Sequence, residues 1–268
     1  MAKDTMFFEK GHKYVTEDGE VYTSVTTLTS KFKPKFKKDY WLMYKALQAS
    51  GIDVRSEKSK YGKVDHILYN NIWYHYTDSV LMGLLKVTPQ DIELEWEAKA
   101  TKGKERGTYT HLVLENLFMG KSFDSLSEHK ELEEAAKNFY QDYKDILIPV
   151  RLEALVRDHD FKLAGQVDGI FLWEGKYVII DYKTDKKLEK SNYFSRFKEP
   201  LANLDDCNYN KYCLQLSLYK YIVEKNSDIK IDKLYIVWLK PEGKYDLVPI
   251  TYKENEVKKM LNIHTQNR

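Results

Sequence analysis

The chain has 268 residues, of which 43% are hydrophobic, so it can bury one sizeable core, as one elaborated domain or two small ones. Its formal charge is only +2, and a nucleic-acid partner would therefore have to contact a local basic surface. Two cysteines, Cys207 and Cys213, are too few for an iron–sulfur cluster held by four thiolates, and we expect a cytoplasmic protein without membrane contact.

The first third of the chain begins with a turn signal. Residues 6–30 alternate around Asp18-Gly19, which predicts an N-terminal hairpin with its second strand over Val21 to Thr26. A helix is predicted from about Asp39 to Ala49, and the irregular, aromatic segment 51–87 is typical of an insertion or cap. Because no linker is evident, one compact unit is the simplest interpretation, divided into a hairpin and cap region (1–95) and a core (96–268).

The rest of the chain has clearer periodicity. The predicted helices begin at Thr88-Pro89, where a capping residue precedes proline, and cover 88–100, 107–119, 128–145 and 210–225. The predicted strands lie near 150–158, 163–172, 176–183, 233–240 and 245–251, and a short helix ends the chain. The order helix, three strands, helix, strand predicts an α/β fold with a central mixed sheet flanked by helices.

Two neighbouring strands carry a pair of carboxylates. If Glu174-Gly175 form a two-residue hairpin loop, Asp168 lies directly opposite Asp181 on the next strand. A three-residue loop would shift the register by one residue and remove this opposition. Side chains alternate along a strand, so Lys183 shares a face with Asp181.

Opposed carboxylates on an apolar strand are unfavourable without compensation. Mg2+ prefers oxygen ligands and would supply it, with Lys183 placed to orient or deprotonate a water. In the alternative, Asp168 caps a turn, Asp181 pairs with Lys183 on a solvated face, and no metal binds.

Two predicted helices carry polar pairs four residues apart, which places each pair on one helical face. His111 and Glu115 stand among apolar residues; a histidine there is often a satisfied core residue, but the carboxylate pair lacks a cation partner. We therefore take His111 as a metal ligand and Glu115 as a candidate for a second metal site or an outer position. Gln215 and Tyr219 form the other pair, which could equally be buried and hydrogen-bonded to nearby backbone.

Taken together, these pieces resemble the RecB-type nucleases of the PD-(D/E)XK superfamily. The matching pieces, in family order, are Gly107 through His111 to Glu115, Glu153, Gly165 to Asp168, Asp181-Tyr182-Lys183-Thr184, and Gln215 to Tyr219. The N-terminal segment also looks like that of phage and mitochondrial-maintenance exonucleases, on His12 to Tyr14 and Ser24 to Thr27. The resemblance implies a restriction-endonuclease-like core of order αβββαβ over 96–268, without the iron–sulfur cluster that some relatives carry.

The resemblance also implies roles for the site residues. His111, Asp168 and Asp181 would ligate one or two Mg2+ or Mn2+ ions, with the Tyr182 carbonyl as a further ligand, and Lys183 would position the attacking water. Gln215 and Tyr219 would steady Lys183 or the DNA backbone, and Glu153 and Thr184 would support the site.

The implied activity is that of a DNA exonuclease that leaves 5′-phosphate and 3′-hydroxyl ends, in a bacterial or phage-infected cell, with a helicase or recombination protein as a partner. An endonuclease of the same fold and a catalytically silent DNA-binding module are the alternatives. The stretch from Lys31 to Lys38 interleaves basic and aromatic residues, which makes Lys35 and Lys37 candidates for DNA contact. A solvated basic loop before a helix explains the same pattern.

Overall fold

A computed structural model describes residues 5–8, 13–56 and 64–266. The strands are β1 Thr5–Phe8, β2 Lys13–Thr16, β3 Val21–Ser24, β4 Arg55–Ser56, β5 His66–Tyr69, β6 Ile72–His75, β7 Leu147–Asp158, β8 Leu163–Trp173, β9 Lys176–Lys183, β10 Ile231–Lys240 and β11 Lys244–Ile250. The helices are α1 Val25–Lys31, α2 Lys38–Ala49, α3 Ser79–Met82, α4 Pro89–Met119, α5 Lys130–Tyr143, α6 Asn208–Asn226 and α7 Glu254–Gln266, with a 3₁₀ turn over Ser127–His129.

Strand β8 organises the main sheet. One of its edges pairs antiparallel with β7 along its length. The other edge is shared: β3 runs parallel to residues 163–164 of β8, and β9 runs antiparallel to residues 169–173. The sheet therefore forks between β3 and β9, and residues 165–168 of β8 face the opening. Beyond β9 the sheet continues through parallel β10 to antiparallel β11.

Helices cover both faces of this sheet. On one face, α1, α6 and α7 pack on a core that includes Leu28, Ile179, Leu214 and Met260. On the other face, α4 and α5 pack on a second core that includes Phe139. These layers, and the order αβββαβ from α5 to β10, confirm the predicted mixed sheet flanked by helices.

The prediction of two helices over 88–100 and 107–119 is wrong, because α4 runs without a break from Pro89 to Met119. Its start has the predicted cap, in which Thr88 and Asp91 form a reciprocal capping box. The intervening glycines cost only about 1 kcal/mol each in a helix. Packing at both ends of α4 outweighs that cost, with Ile92 against α2 and Val113 in the core under the sheet.

The N-terminal hairpin is confirmed, with Tyr14 opposite Tyr22 and a positive φ of 82° at Gly19 in the turn. Its second strand is shorter than predicted, because helix α1 begins at Val25. The hydroxyl of Ser24 accepts the backbone N–H of Thr27 and caps that helix. His12, at the start of the predicted N-terminal motif, lies outside the described residues.

Residues 64–85 build most of the cap. Strands β4, β5 and β6 form a small separate sheet that packs with α2 around Leu47, Ile67 and Leu81. The predicted boundary at residues 95/96 falls inside α4 and stays a prediction. In the described part of the chain, none of the helices has the length and apolar character needed to cross a bilayer.

Candidate functional site

The carboxylate pair lies at the fork of the sheet. The β8–β9 ladder pairs Trp173 with Lys176 and ends at Gly169 opposite Ile180, as the two-residue loop predicts. One further step in this register sets Asp168 opposite Asp181. Both side chains are buried, with exposed fractions of 8% and 1%. They stand where β9 leaves β8 and the cleft opens.

Asp168 is fixed by two contacts. Its Oδ2 atom accepts the backbone N–H of Tyr182 at 2.7 Å and lies 3.4 Å from Nδ1 of His111. The second ring nitrogen of His111, Nε2, lies 3.0 Å from the carbonyl oxygen of Tyr182. Helix α4 thus delivers an imidazole to the end of the β8–β9 pair, next to a carboxylate and a carbonyl oxygen.

Glu153 joins this group from the neighbouring strand. The β7–β8 register, which pairs Leu152 with Gly169 and Ala154 with Val167, places it across from Asp168. Its φ of +47° is rare for a residue with a side chain in mid-strand. His111, Glu153 and Asp168 each offer a ligand atom, and these atoms all lie within 4.8 Å of one another.

Asp181 and Lys183 form an ion pair through Oδ2 and Nζ. The Lys183 ammonium also lies 5.0 Å from the ring centroid of Tyr212. Burial acts to lower the lysine pKa, but Asp181 and Asp168 outweigh it and raise the pKa above its ordinary value. Lys183 is therefore a cation in this arrangement.

The remaining pKa shifts follow from crowding of charge in a buried place. Burial acts to lower the pKa of His111, but the Asp168 carboxylate raises it to about 9. Burial acts to raise the pKa of Asp168, but the nearby His111 outweighs burial and holds this pKa below its ordinary value. Burial and Asp168 raise the pKa of Asp181, and the same two causes raise that of Glu153 to about 7. The acids crowd one another, a condition that a cation relieves.

The cleft in front of these groups has a volume of about 800 Å3 and is bordered by β8, α1, α4 and α6. Glu115 lines it, one helical turn beyond His111. Tyr219 lines it from α6, and its hydroxyl accepts a hydrogen bond from Nε2 of Gln215 at 3.2 Å. The carbonyl of Thr184 accepts a hydrogen bond from Arg106, which ties the end of β9 to α4.

The two lysines predicted to contact DNA have different surroundings. Lys37 forms an ion pair with Asp65 of the cap, while Lys35 is exposed. The structure brings neither side chain into the lining of the cleft. Both assignments stay predictions.

Three features of the site are absent from the sequence reasoning. The fork between β3 and β9 arises from long-range pairing, so no local pattern reveals it. The resemblance implies only a supporting role for Glu153, and its place among the proposed ligands depends on the register of β7. Lys211, whose ammonium lies 5.8 Å from the Tyr212 ring that Lys183 also approaches, precedes Gln215 by one helical turn and could have been found by extending that face of α6 toward its N-terminus.

The donor set suits a hard divalent cation. One imidazole and two carboxylates converge in the described part of the chain, with the Tyr182 carbonyl oxygen beside the imidazole. Oxygen-rich sets of this kind bind Mg2+ or Mn2+. The residues present therefore fit a divalent metal.

Known proteins match this chain in part. A stretch of 69 residues is 33% identical to one of the ATP-dependent helicase/nuclease subunits of Streptococcus pneumoniae strain Hungary19A-6, and equally to exonuclease/helicase subunit RexA of S. pneumoniae serotype 4. The match covers 26% of this chain and 6% of either relative. A solved structure of a candidate exonuclease from Eubacterium rectale aligns with a TM-score of 0.36 and 16% identity, over 92% of this chain and 78% of the other.

A sequence profile of the PD-(D/E)XK nuclease superfamily matches residues 127–266. The matched region is more than half of the chain and contains Glu153, Asp168, Asp181 and Lys183. It confirms the resemblance that the motifs predict: the chain belongs to the PD-(D/E)XK nuclease superfamily.

Proposed function

We propose that this protein is a Mg2+- or Mn2+-dependent DNA exonuclease that leaves 5′-phosphate and 3′-hydroxyl ends. The observation that carries the proposal is the convergence of His111, Glu153 and Asp168 beside the buried Asp181–Lys183 pair. Nucleases of this superfamily use divalent metal ions, which is why such a cluster of donors belongs at their centre.

The residues that would hold the metal are His111, Asp168, Asp181 and the Tyr182 carbonyl, and we add Glu153 to that set. When bound, a divalent ion lowers the pKa of a coordinated water and stabilises charge on the phosphate. His111 must lose a proton to become a ligand, because its raised pKa keeps it protonated at neutral pH. Metal binding by this protein is therefore coupled to proton release.

Lys183 has a positioning role in this mechanism. Its ammonium donates hydrogen bonds, and the ion pair with Asp181 holds it next to one of the proposed ligands. We assign it to orient the water that attacks phosphorus in line with the departing 3′ oxygen. Tyr212 limits the mobility of the lysine, since its ring lies against the ammonium.

An endonuclease of the same fold is the second candidate, since the chemistry at phosphorus is identical. A silent DNA-binding module is less well supported, because Lys183 and Asp181 form a buried pair and Asp168 and Glu153 converge with His111. The S. pneumoniae relatives are named as helicase/nuclease subunits, which supports a helicase partner for this chain as well.

The test is cleavage of end-labelled linear DNA by the wild type and by two variants. Asp181→Asn removes a buried charge with little change of shape, and Lys183→Ala removes the positioning ammonium. Each should lower the cleavage rate by about a hundred- to a thousandfold, in line with the loss of charge stabilisation in other active sites. Cleavage by the wild type should also stop in EDTA.

Lys186→Ala is the matched control, because this exposed lysine follows Lys183 by three residues. It should cleave at the wild-type rate. Circular dichroism melts should verify that each variant is folded, since an unpaired buried charge costs stability. Wild-type cleavage by either site variant, or cleavage by the pure protein without metal, would contradict the proposal.

A further inference from the structure

A second pocket lies outside the catalytic cleft. It has a volume of about 580 Å3 and lies between the basic loop after α1 and the segment that links β9 to α6. Pro34 borders it on one side, and Tyr193, Arg196 and Lys198 on the other. The proposed mechanism uses none of these residues.

The walls of this pocket are firmly built. The backbone N–H of Lys198 donates to the carbonyl of Phe32 at 2.7 Å and joins the two segments. Phe197 and Leu201 anchor the linking segment, because both are buried in the core under α6. The pocket is therefore a fixed feature of the fold.

An aromatic ring is nevertheless left in solvent at its rim. Tyr193 is 86% exposed and the adjacent Phe194 is 61% exposed. Neither ring serves the core, although Phe197, a few residues later, is almost completely buried. These two adjacent rings beside a fixed pocket are therefore available for contact with a ligand.

Cationic side chains connect this pocket to the catalytic site. The ammonium groups of Lys183 and Lys211 lie 5.0 and 5.8 Å from the centroid of the same Tyr212 ring, and burial together with Lys183 and Lys33 lowers the pKa of Lys211. Lys33 adjoins Pro34 at the pocket, and Arg196 lines it. The path therefore runs from Lys183 through Lys211 and Lys33 to Arg196.

Acidic groups also lie along this path and limit its charge, with Asp185 and Asp181 near Lys211. Lys33 lies 3.3 Å from Asp206, and Arg196 lies 3.7 Å from Asp205. The side chain of Arg196 stays 66% exposed in that contact. Its guanidinium remains accessible to a phosphate group.

We propose that this pocket binds unpaired nucleotides of the DNA strand whose phosphate is at the catalytic site. This inference rests on the proposed function. Tyr193 stacks on a base, Arg196 and Lys198 contact phosphates, and Lys211 contacts the backbone between pocket and cleft. Charge complementarity selects a polyanion, and the exposed ring selects one with accessible base faces. A duplex does not offer those faces, so the ligand is a single strand.

Fluorescence anisotropy with labelled oligo(dT) of about 15 nucleotides measures binding to the pocket, and EDTA prevents cleavage during the measurement. Tyr193→Ala should raise Kd about fivefold or more, which is the usual effect of losing one stacked base. Tyr193→Phe keeps the ring and should bind like the wild type. Arg196→Ala should weaken binding and reduce the slope of log K against log salt by about 0.7, the contribution of one phosphate contact on a single strand.

Trp73→Ala is the matched control, because this aromatic side chain is also exposed, to 51%, but lies on the β5–β6 hairpin. It should leave Kd unchanged, and a blunt duplex of the same length should respond little to Tyr193→Ala. Photo-cross-linking of an oligonucleotide with 5-iododeoxyuridine should label residues 193–198.

Three results would overturn the inference: no oligo(dT) binding by the wild type, unchanged binding by both Tyr193→Ala and Arg196→Ala, or equal losses on duplex and single strand. The proposed nuclease activity is tested separately, by the cleavage assay. Active Asp181→Asn would refute the nuclease site and leave the binding result standing, whereas unchanged anisotropy would refute the pocket alone.

Discussion

Glu153 has a backbone φ of +47° in the middle of strand β7, where any residue with a Cβ is strained. Strain of this kind persists only where the surrounding structure enforces it, and here it places a carboxylate across from Asp168. The pKa of Glu153 rises from 4.5 to about 7, mainly through burial and then through Asp168. The backbone conformation and the ionisation of the carboxyl group are both unfavourable at Glu153. Such a combination is expected where a bound ligand stabilises the carboxylate.

Glu153→Gln should therefore have opposite effects on stability and on metal affinity. Between pH 4.5 and 7 the unfolded carboxylate is ionised while the folded one keeps its proton, so stability falls as the pH rises. The metal-free variant avoids this loss, and above the folded pKa it should be more stable than the wild type by roughly 1–2 kcal/mol, allowing for solvent screening. Its Mn2+ affinity, measured by calorimetry, should fall about tenfold or more.

Glu115→Gln is the control for that pair of measurements, since this carboxylate lines the same cleft outside the three-residue donor cluster. It should change Mn2+ affinity much less. A Glu153→Gln variant that binds Mn2+ like the wild type would show that the carboxylate serves the backbone conformation alone.

At the scale of the structural elements, helix α6 approaches β8 closely where Gly165 passes Tyr219. A Cβ atom added to Gly165 would lie 2.5 Å from Cε1 of Tyr219 and 3.3 Å from Cγ2 of Val25. Tyr219 is only 3% exposed and its hydroxyl accepts a hydrogen bond from Gln215, so a displaced ring would lose buried contacts and disturb that bond. The glycine is needed for close approach of helix and strand.

Gly165→Ala should consequently destabilise the fold by about 1–3 kcal/mol, the usual cost of overpacking. Gly107→Ala is the matched comparison, because this glycine lies inside α4 and its nearest neighbour, Thr184 Oγ1, is 3.9 Å from an added Cβ. That change should be neutral or stabilising by about 0.5–1 kcal/mol. Urea denaturation measures both, and equal midpoints for the two variants would disprove the packing argument.

At the scale of the whole molecule, the cleft is formed by parts distant in sequence. Strand β3 and helix α1 border it on one side and α4 on the other, while β8 forms its floor. The cap built by α2 and the β4–β6 sheet packs beside the first half of α4 through Leu42, Ala46 and Ile92. A DNA strand bound at the proposed metal ligands would lie between these parts, an arrangement that favours entry from an end.

Linear single-stranded DNA should accordingly be degraded, whereas closed circles of the same sequence should persist much longer. Gel analysis of both forms in one reaction measures the ratio of their lifetimes. Opening the circle by a single cut should restore degradation. Rapid cleavage of the closed circle would contradict the exonuclease proposal and favour an endonuclease.

The sequence determined the parts of this protein that depend on local chemistry. Alternation and turn residues identified β7, β8 and β9, and the two-residue loop at Glu174-Gly175 set the register that opposes Asp168 and Asp181. Motif order indicated the family, and the periodicity of α6 placed Gln215 and Tyr219 on one face, where they hydrogen-bond to each other.

Only the tertiary structure decided the rest, because it depends on contacts between distant residues. Local propensity favoured two helices where packing at both ends keeps α4 whole, and a longer strand where Ser24 caps α1. The fork between β3 and β9, the approach of Glu153 to His111 and the pocket beneath Tyr193 join segments far apart in the chain. Side-chain periodicity determines which face a residue occupies, but long-range packing determines what it meets there.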